Sequence, residues 1–320
     1  MHTLYCALDD RLLVVREADW LANECPVGDS LECVAAAPTR PERVFVGTVS
    51  EGLAYSTDGG ESWATTLGTD DRVTAVAVSP HDPDVVWAGT EPSRVYRSTD
   101  GGDTWTERPG LQDLPSAPRW SFPPRPHTHH VRWLAVDPHE QGRLYVAIEA
   151  GAFVRTDDSG ETWQDHPTGA RRDNHTLATH PDAPGRVYTA AGDGYAESTD
   201  GGDTWRHPQS GLEHRYVWGL AVGSEPDDVV VSAATGPRSA HSTNGQSAVY
   251  RWTGGEWERG MAGLPGPEGM ARPVLAARDG QFYALTNHGV FTSPTGQQWD
   301  GLDIAWPGEY QQVPRGLAAV

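Results

Sequence analysis

The chain has 320 residues, 44 acidic and 24 basic, for a formal net charge of −20, and every basic residue is arginine. Without lysine there is no Walker phosphate loop and no Schiff-base amine, and so acidic a surface repels nucleic-acid phosphates and anionic membranes. No apolar run approaches the ~18 residues that cross a bilayer, while 36 glycines and 25 prolines without a long helical period point to short strands and tight turns.

The first residues, MHTLYCALDDRLLVV, carry no basic region and run into an acidic pair, which makes a poor secretory leader. A soluble, cytoplasmic monomer is the expectation. Cys6, Cys25 and Cys33 are odd in number and include no C-x-x-C pair, so they read as small core or loop residues. An acidic, arginine-only composition accompanies salt-adapted, GC-rich organisms such as halophilic archaea, although codon bias alone produces the same composition.

In chain order, residues 3–20 read as a strand, an acidic turn, a second strand and a Trp-bearing turn. Four similar units follow, opening CVAAAPTRPERVFVGT (33–48), TAVAVSPHDPDVVWAGT (74–90), RWLAVDPHEQGRLYVAI (132–148) and HTLATHPDAPGRVYTAA (175–191). Each is an apolar strand, a turn with Pro, Asp or Gly, and a second strand rich in Val and Tyr or Phe. A third short strand then leads into an eight-residue box: STDGGESW (56–63), STDGGDTW (98–105), TDDSGETW (156–163) and STDGGDTW (198–205). Residues 217–260 and 272–299 are a fifth and a sixth unit with decayed boxes that keep Trp257 and Trp299, and PRGLAAV (314–320) supplies a missing first strand for residues 3–20.

The box aspartates, Asp58, Asp100, Asp158 and Asp200, recur at intervals of 42, 58 and 42. Four short strands at such a period are a propeller blade. The predicted architecture is all-β: one seven-bladed β-propeller with four-stranded antiparallel blades at 31–66, 73–108, 131–166, 175–208, 217–260 and 272–303, and a seventh from 313–320 with 1–20. Pairing of the C-terminal strand with the N-terminal strands closes the ring and removes two sheet edges.

Within the box, Asp58 can accept N–H groups of its own turn, Gly59 and Gly60 permit positive φ, and Trp63 can bury its ring between sheets. Trp105, Trp163 and Trp205 are its equivalents. A calcium loop would need alternating oxygen ligands and a terminal bidentate Glu, which the box lacks. The pattern S/T-x-D-x-G-x-x-W resembles the Asp-box, or BNR, repeat of sialidases, sortilin-type receptors, xyloglucanases and photosystem II assembly factors. That resemblance implies a structural box on one face and ligands on the opposite face, around the channel.

Both long insertions, 109–130 between blades two and three and 235–247 inside blade five, fall on that opposite face. Aligning the first strands on their Leu/Val-Ala step gives one mouth position per blade: Glu32, Thr74, Arg132, His175, Trp218, Arg272 and Arg315. Three arginines and a histidine converging in an acidic molecule would focus an anion such as a carboxylate or phosphate. Arg132, His175, Trp218, Arg272 and Arg315, with His130 and Tyr216 nearby, are the candidate ligand-binding residues. Trp120, Phe122 and Trp133 lie on the same rim. His127, His129, His130 and His214 read as loop imidazoles, and neither a metal nor a cofactor is assigned.

The function this supports is a non-catalytic binding or assembly module for a small anionic ligand or a protein partner. The alternative implied by the resemblance is a sialidase-like glycoside hydrolase with Arg132, Arg272 and Arg315 holding a substrate carboxylate and Tyr216 as nucleophile. Against it, the Arg-Ile-Pro motif of that family is missing, its propellers have six blades, and no Tyr/Glu pair is evident.

Overall fold

The structure is a computed structural model in which residues 2–18, 20, 22–25 and 27–320 are described. Seven antiparallel sheets form the ring, and almost no helix interrupts them. Blade one runs Leu31–Ala37, Arg40–Thr48, Leu53–Ser56 and Ala64–Leu67 from channel to rim. Blades two, five and six repeat the same four-stranded order. In blades three and four the outermost strand shrinks to a single bridge, Arg155 with Gln164 and Glu197 with Arg206.

The seventh sheet is composite. Gly316–Ala319 is its innermost strand, pairing with Thr3–Ala7 in the register Leu4–Ala319 to Ala7–Gly316. Leu12–Arg16 and Ala22–Cys25 complete it, so the rim strand lies beyond the expected limit at residue 20. The same sheet therefore contains strands from both ends of the sequence described.

Core residues lie between blades rather than in one central core. Leu4, Leu8, Val15, Tyr283 and Leu285 join blades six and seven, and Tyr188, Leu220, Val231 and Tyr250 join blades four and five. Close approach sets residue size on the second strands. A Cβ added to Gly89 would stand 2.4 Å from Val131 Cγ1 of the next blade, and one added to Gly47 2.4 Å from the Val73 carbonyl oxygen.

The boxes connect the third and fourth strands. Asp58 Oδ1 accepts the Ser56 hydroxyl (2.7 Å) and the Ser62 N–H (2.9 Å), while Oδ2 accepts the Ser62 hydroxyl (2.5 Å). Asp100, Asp158 and Asp200 repeat these contacts. Gly59 and Gly60 lie at φ +74° and +95°, and Ser159 holds the first of these positions in the third box at φ +63°. The Trp rings bridge blades, as when Trp205 meets Phe153 edge-on at 4.9 Å. With N–H and O–H donors aimed at both carboxylate oxygens, the box is a turn-former.

Candidate functional site

Five of the seven innermost strands share an irregularity that aims side chains into the channel mouth. The register skips from Leu31 to Cys33, Val73 to Ala75, Val131 to Trp133, Asn174 to Thr176 and Val217 to Leu220. Glu32, Thr74, Arg132 and His175 are thus bulge residues, and Trp218 lies in the two-residue bulge of blade five. A bulge leaves its extra residue without a ladder partner and re-aims its side chain. In blades six and seven Arg272 and Arg315 stand just before the first strand.

These positions surround a cavity of about 570 Å³ lined by Glu32, Thr74, Arg132, Trp218, Arg272 and Arg315. Tyr216 and His130 also line it, as do Phe122–Arg125 of the first insertion and Pro237, Arg238 and His241 of the second. His175 does not reach the cavity wall. It is fully buried, stacked on Trp218 with centroids 4.2 Å apart. Its Nδ1 lies 2.7 Å from the Val217 carbonyl, so that nitrogen is the donor.

Trp218 serves the arginines rather than presenting a free stacking face. Its ring is 3% exposed, with the Arg272 guanidinium 3.9 Å and that of Arg132 4.8 Å from its centroid. His241 meets it edge-on at 4.6 Å. Burial, reinforced by Arg272, pushes the His241 imidazole down to about 3, so it is neutral at physiological pH. Phe122 is similarly engaged, under Arg125 at 4.7 Å and against His130 at 4.6 Å. Trp120 is buried and donates to the Ser116 hydroxyl.

Six arginines and three carboxylates line the cavity. Arg72 is answered by Glu32 at 2.6 Å, Arg125 by Glu91 at 2.5 Å, and Arg315 by Asp9 through Nε and Nη2. Arg132 lies 3.6 Å from Glu149. Arg238 is solvent-exposed and, like Arg272, has no carboxylate within salt-bridge distance among the described residues. Arg272 is only 1% exposed; Nη1 donates to the Pro314 carbonyl at 2.6 Å and Nε has no partner. Burial, with Arg132 and Arg315 nearby, pushes this guanidinium well below its ordinary value.

The acidic side of the mouth is Glu149 and Asp173, which carry no periodic signal in the sequence. Burial raises Glu149, but the hydrogen bond from His130 Nε2 at 2.9 Å and the surrounding positive charge outweigh it and hold the carboxyl well below its usual range. Burial raises Asp173, with Glu149 adding to the effect. Tyr216 is pushed far above the ordinary phenol value by burial and by these two acids. Its hydroxyl makes no hydrogen bond to Glu149 or to any other described residue.

The expected histidines disperse. His129 goes to Ser93 Oγ at 2.8 Å and His214 to the Tyr250 hydroxyl at 2.5 Å, while His127 is exposed. Of the four, His130 alone meets the cavity.

Compared with known proteins, residues 54–65 match the BNR/Asp-box repeat family. A curated relative, a xyloglucanase of Hypocrea jecorina, is 26% identical over 150 residues, 46% of this chain. The chain spans 18% of that relative's length. An ancestral GH74 enzyme superposes with TM-score 0.66 at 18% identity over 90% of this chain and 37% of its own. The structure of YCF48 bound to D1 peptide superposes with TM-score 0.60 at 17% identity, covering 91% of this chain and 86% of its own. At these identities the solved structures establish the shared fold, and two functional classes share it.

Proposed function

We propose that this propeller is a non-catalytic binding module that takes an anionic group, a carboxylate or phosphate, into the arginine-lined mouth of its channel. The observation that carries this reading is Arg272, a buried guanidinium with no carboxylate partner beside a 570 Å³ cavity. A buried charge without a counter-charge is costly, so its retention points to an anion arriving from outside. Arg132 and Arg315 face the same space and act as a collar, and the protein's −20 charge leaves this mouth a local positive focus.

The anion can belong to a small molecule or to a protein partner. A propeller of this shape holding a peptide, YCF48 with D1 peptide, supports the second source. The GH74 likeness favours a hydrolase instead, as do the paired acids Glu149 and Asp173. In that reading Arg132, Arg272 and Arg315 would grip a substrate carboxylate. One observation favours binding: Tyr216 lacks the hydrogen-bonded Glu partner that would activate it.

Calorimetric titration in chelator-containing buffer tests the reading, using inorganic phosphate, succinate, and an acidic peptide with a free or amidated C-terminus. At least one probe should bind wild type, weaken as salt rises, and fail with Arg272→Met. No binding to wild type, or equal binding by the variant, refutes it. Turnover of an aryl sialoside that disappears in Tyr216→Phe would establish the hydrolase instead.

A further inference from the structure

We propose that Glu149, Asp173 and His175 form a binding site for one divalent transition-metal ion, of the Zn²⁺ or Mn²⁺ class, in the wall of the channel mouth. Glu149 follows the second strand of blade three, Leu144–Ile148, and Asp173 precedes the first strand of blade four, Asn174–Thr179. His175 is the bulge residue of that strand. One ligand atom from each residue lies within 4.8 Å of the other two.

The imidazole supplies the independent observation. Its Nδ1–H is spent on the Val217 carbonyl, so Nε2 carries a lone pair. That nitrogen is fully buried, has no hydrogen-bond partner, and lies 3.7 Å from Asp173 Oδ1. A lone pair facing a carboxylate has no proton to share with it, so the two acceptors stand 3.7 Å apart with no hydrogen bond between them. Two bonds of ~2.1 Å to a common ion span such a separation at an angle of about 120°.

The surroundings match what metal ligands require. Metal-binding imidazoles usually donate their other nitrogen to a carbonyl, and metal-binding carboxylates are themselves hydrogen-bonded. Here the Ala150 N–H donates to Asp173 Oδ1 at 2.9 Å and His130 Nε2 to Glu149 Oε2 at 2.9 Å. The imidazole ligand suits Zn²⁺ and the two carboxylates also admit Mn²⁺, whereas Ca²⁺ and Mg²⁺ prefer all-oxygen sites. Two carboxylates balance the ion's charge against Arg132, 3.6 Å from Glu149. Glu149 and Asp173 also line the cavity, so further coordination positions open onto it.

The full chain, stripped with chelator and dialysed against ZnCl₂ or MnCl₂, should take up one equivalent by atomic emission. Asp173→Asn and Glu149→Gln, checked for folding by circular dichroism, should each bind more than about ten-fold more weakly. X-ray absorption of the zinc-loaded wild type should show one imidazole among oxygen ligands, a readout that holds even if a variant fails to fold. Substoichiometric uptake by wild type, undiminished binding by both folded variants, or two or more imidazoles from loop residues such as His127 and His129 would overturn the assignment. The anion titrations above are done with chelator present, so failure here leaves that reading untouched, and the converse.

Discussion

Replacing Arg272 by methionine should leave the ligand-free protein as stable as wild type or more so, while removing its affinity for anions. The substitution keeps the length of the aliphatic stem and deletes the charge. Lost are the charge-assisted bond to the Pro314 carbonyl, about 2 kcal/mol, and the stacking on Trp218 at 3.9 Å, about 2 kcal/mol when desolvated. Gained is relief from holding a guanidinium out of water without a counter-charge, about 5 kcal/mol after relaxation. The balance is about 1 kcal/mol in favour of methionine, or roughly 2 °C in Tm for a chain of this size. Scanning calorimetry of both proteins without ligand, then with a saturating anion, gives the two readouts. At one hundred times Kd the anion should stabilise wild type by about 2.7 kcal/mol and leave the variant unmoved. A ligand-free variant destabilised by more than about 3 kcal/mol would refute the reasoning, because breaking a compensated buried pair costs that much.

Other expectations concern the scaffold. Gly89→Ala places a methyl group 2.4 Å from Val131 Cγ1, and urea unfolding should show a loss of about 2 kcal/mol or more from this overpacking. Ser159→Gly relieves a left-handed residue at φ +63°; that gain of about 1 kcal/mol, reduced by the extra freedom of glycine in the unfolded chain, should net a stabilisation near 0.5 kcal/mol. The box carboxylates predict acid sensitivity: the Thr104 hydroxyl holds Asp100 down at about 2 and the Thr162 hydroxyl does the same for Asp158. Because these folded values lie below the unfolded ones, their stabilisation is complete above about pH 5 and is lost as pH falls toward 2. Thr104→Val should therefore raise the Asp100 pKa measured by NMR and move the acid-unfolding midpoint upward; an unchanged Asp100 titration would contradict it.

The ring was legible because its signals are periodic. The box spacing counts blades, and the Leu/Val-Ala step of each first strand sets the alignment that places Arg132, Arg272 and Arg315 around one mouth. In five blades that alignment works because a bulge recurs at the same place and re-aims the same sequence position, whereas Arg272 and Arg315 reach the mouth from just before their strands. The partners of those residues are another matter. Asp9 reaches Arg315 across 306 residues, and Asp173, Arg125 and Arg238 come from turns or insertions with no period to reveal them. His175 looked like a mouth residue because its position repeats; only packing shows that Trp218 covers it. The unused nitrogen of His175 depends in turn on the carbonyl of Val217 from the next blade, a contact no local pattern encodes.

The composite seventh sheet has a consequence during synthesis. A ribosome that has delivered residues through 310 has already released six blades able to pair internally, but Thr3–Ala7 still lacks Gly316–Ala319 at its inner edge. Arg315 and the Pro314 carbonyl that holds Arg272 arrive with that same late segment. The nascent chain therefore cannot assemble its finished mouth until the last strand has shut the ring, so the support of Arg272 and the closure of the seventh sheet are completed in one step.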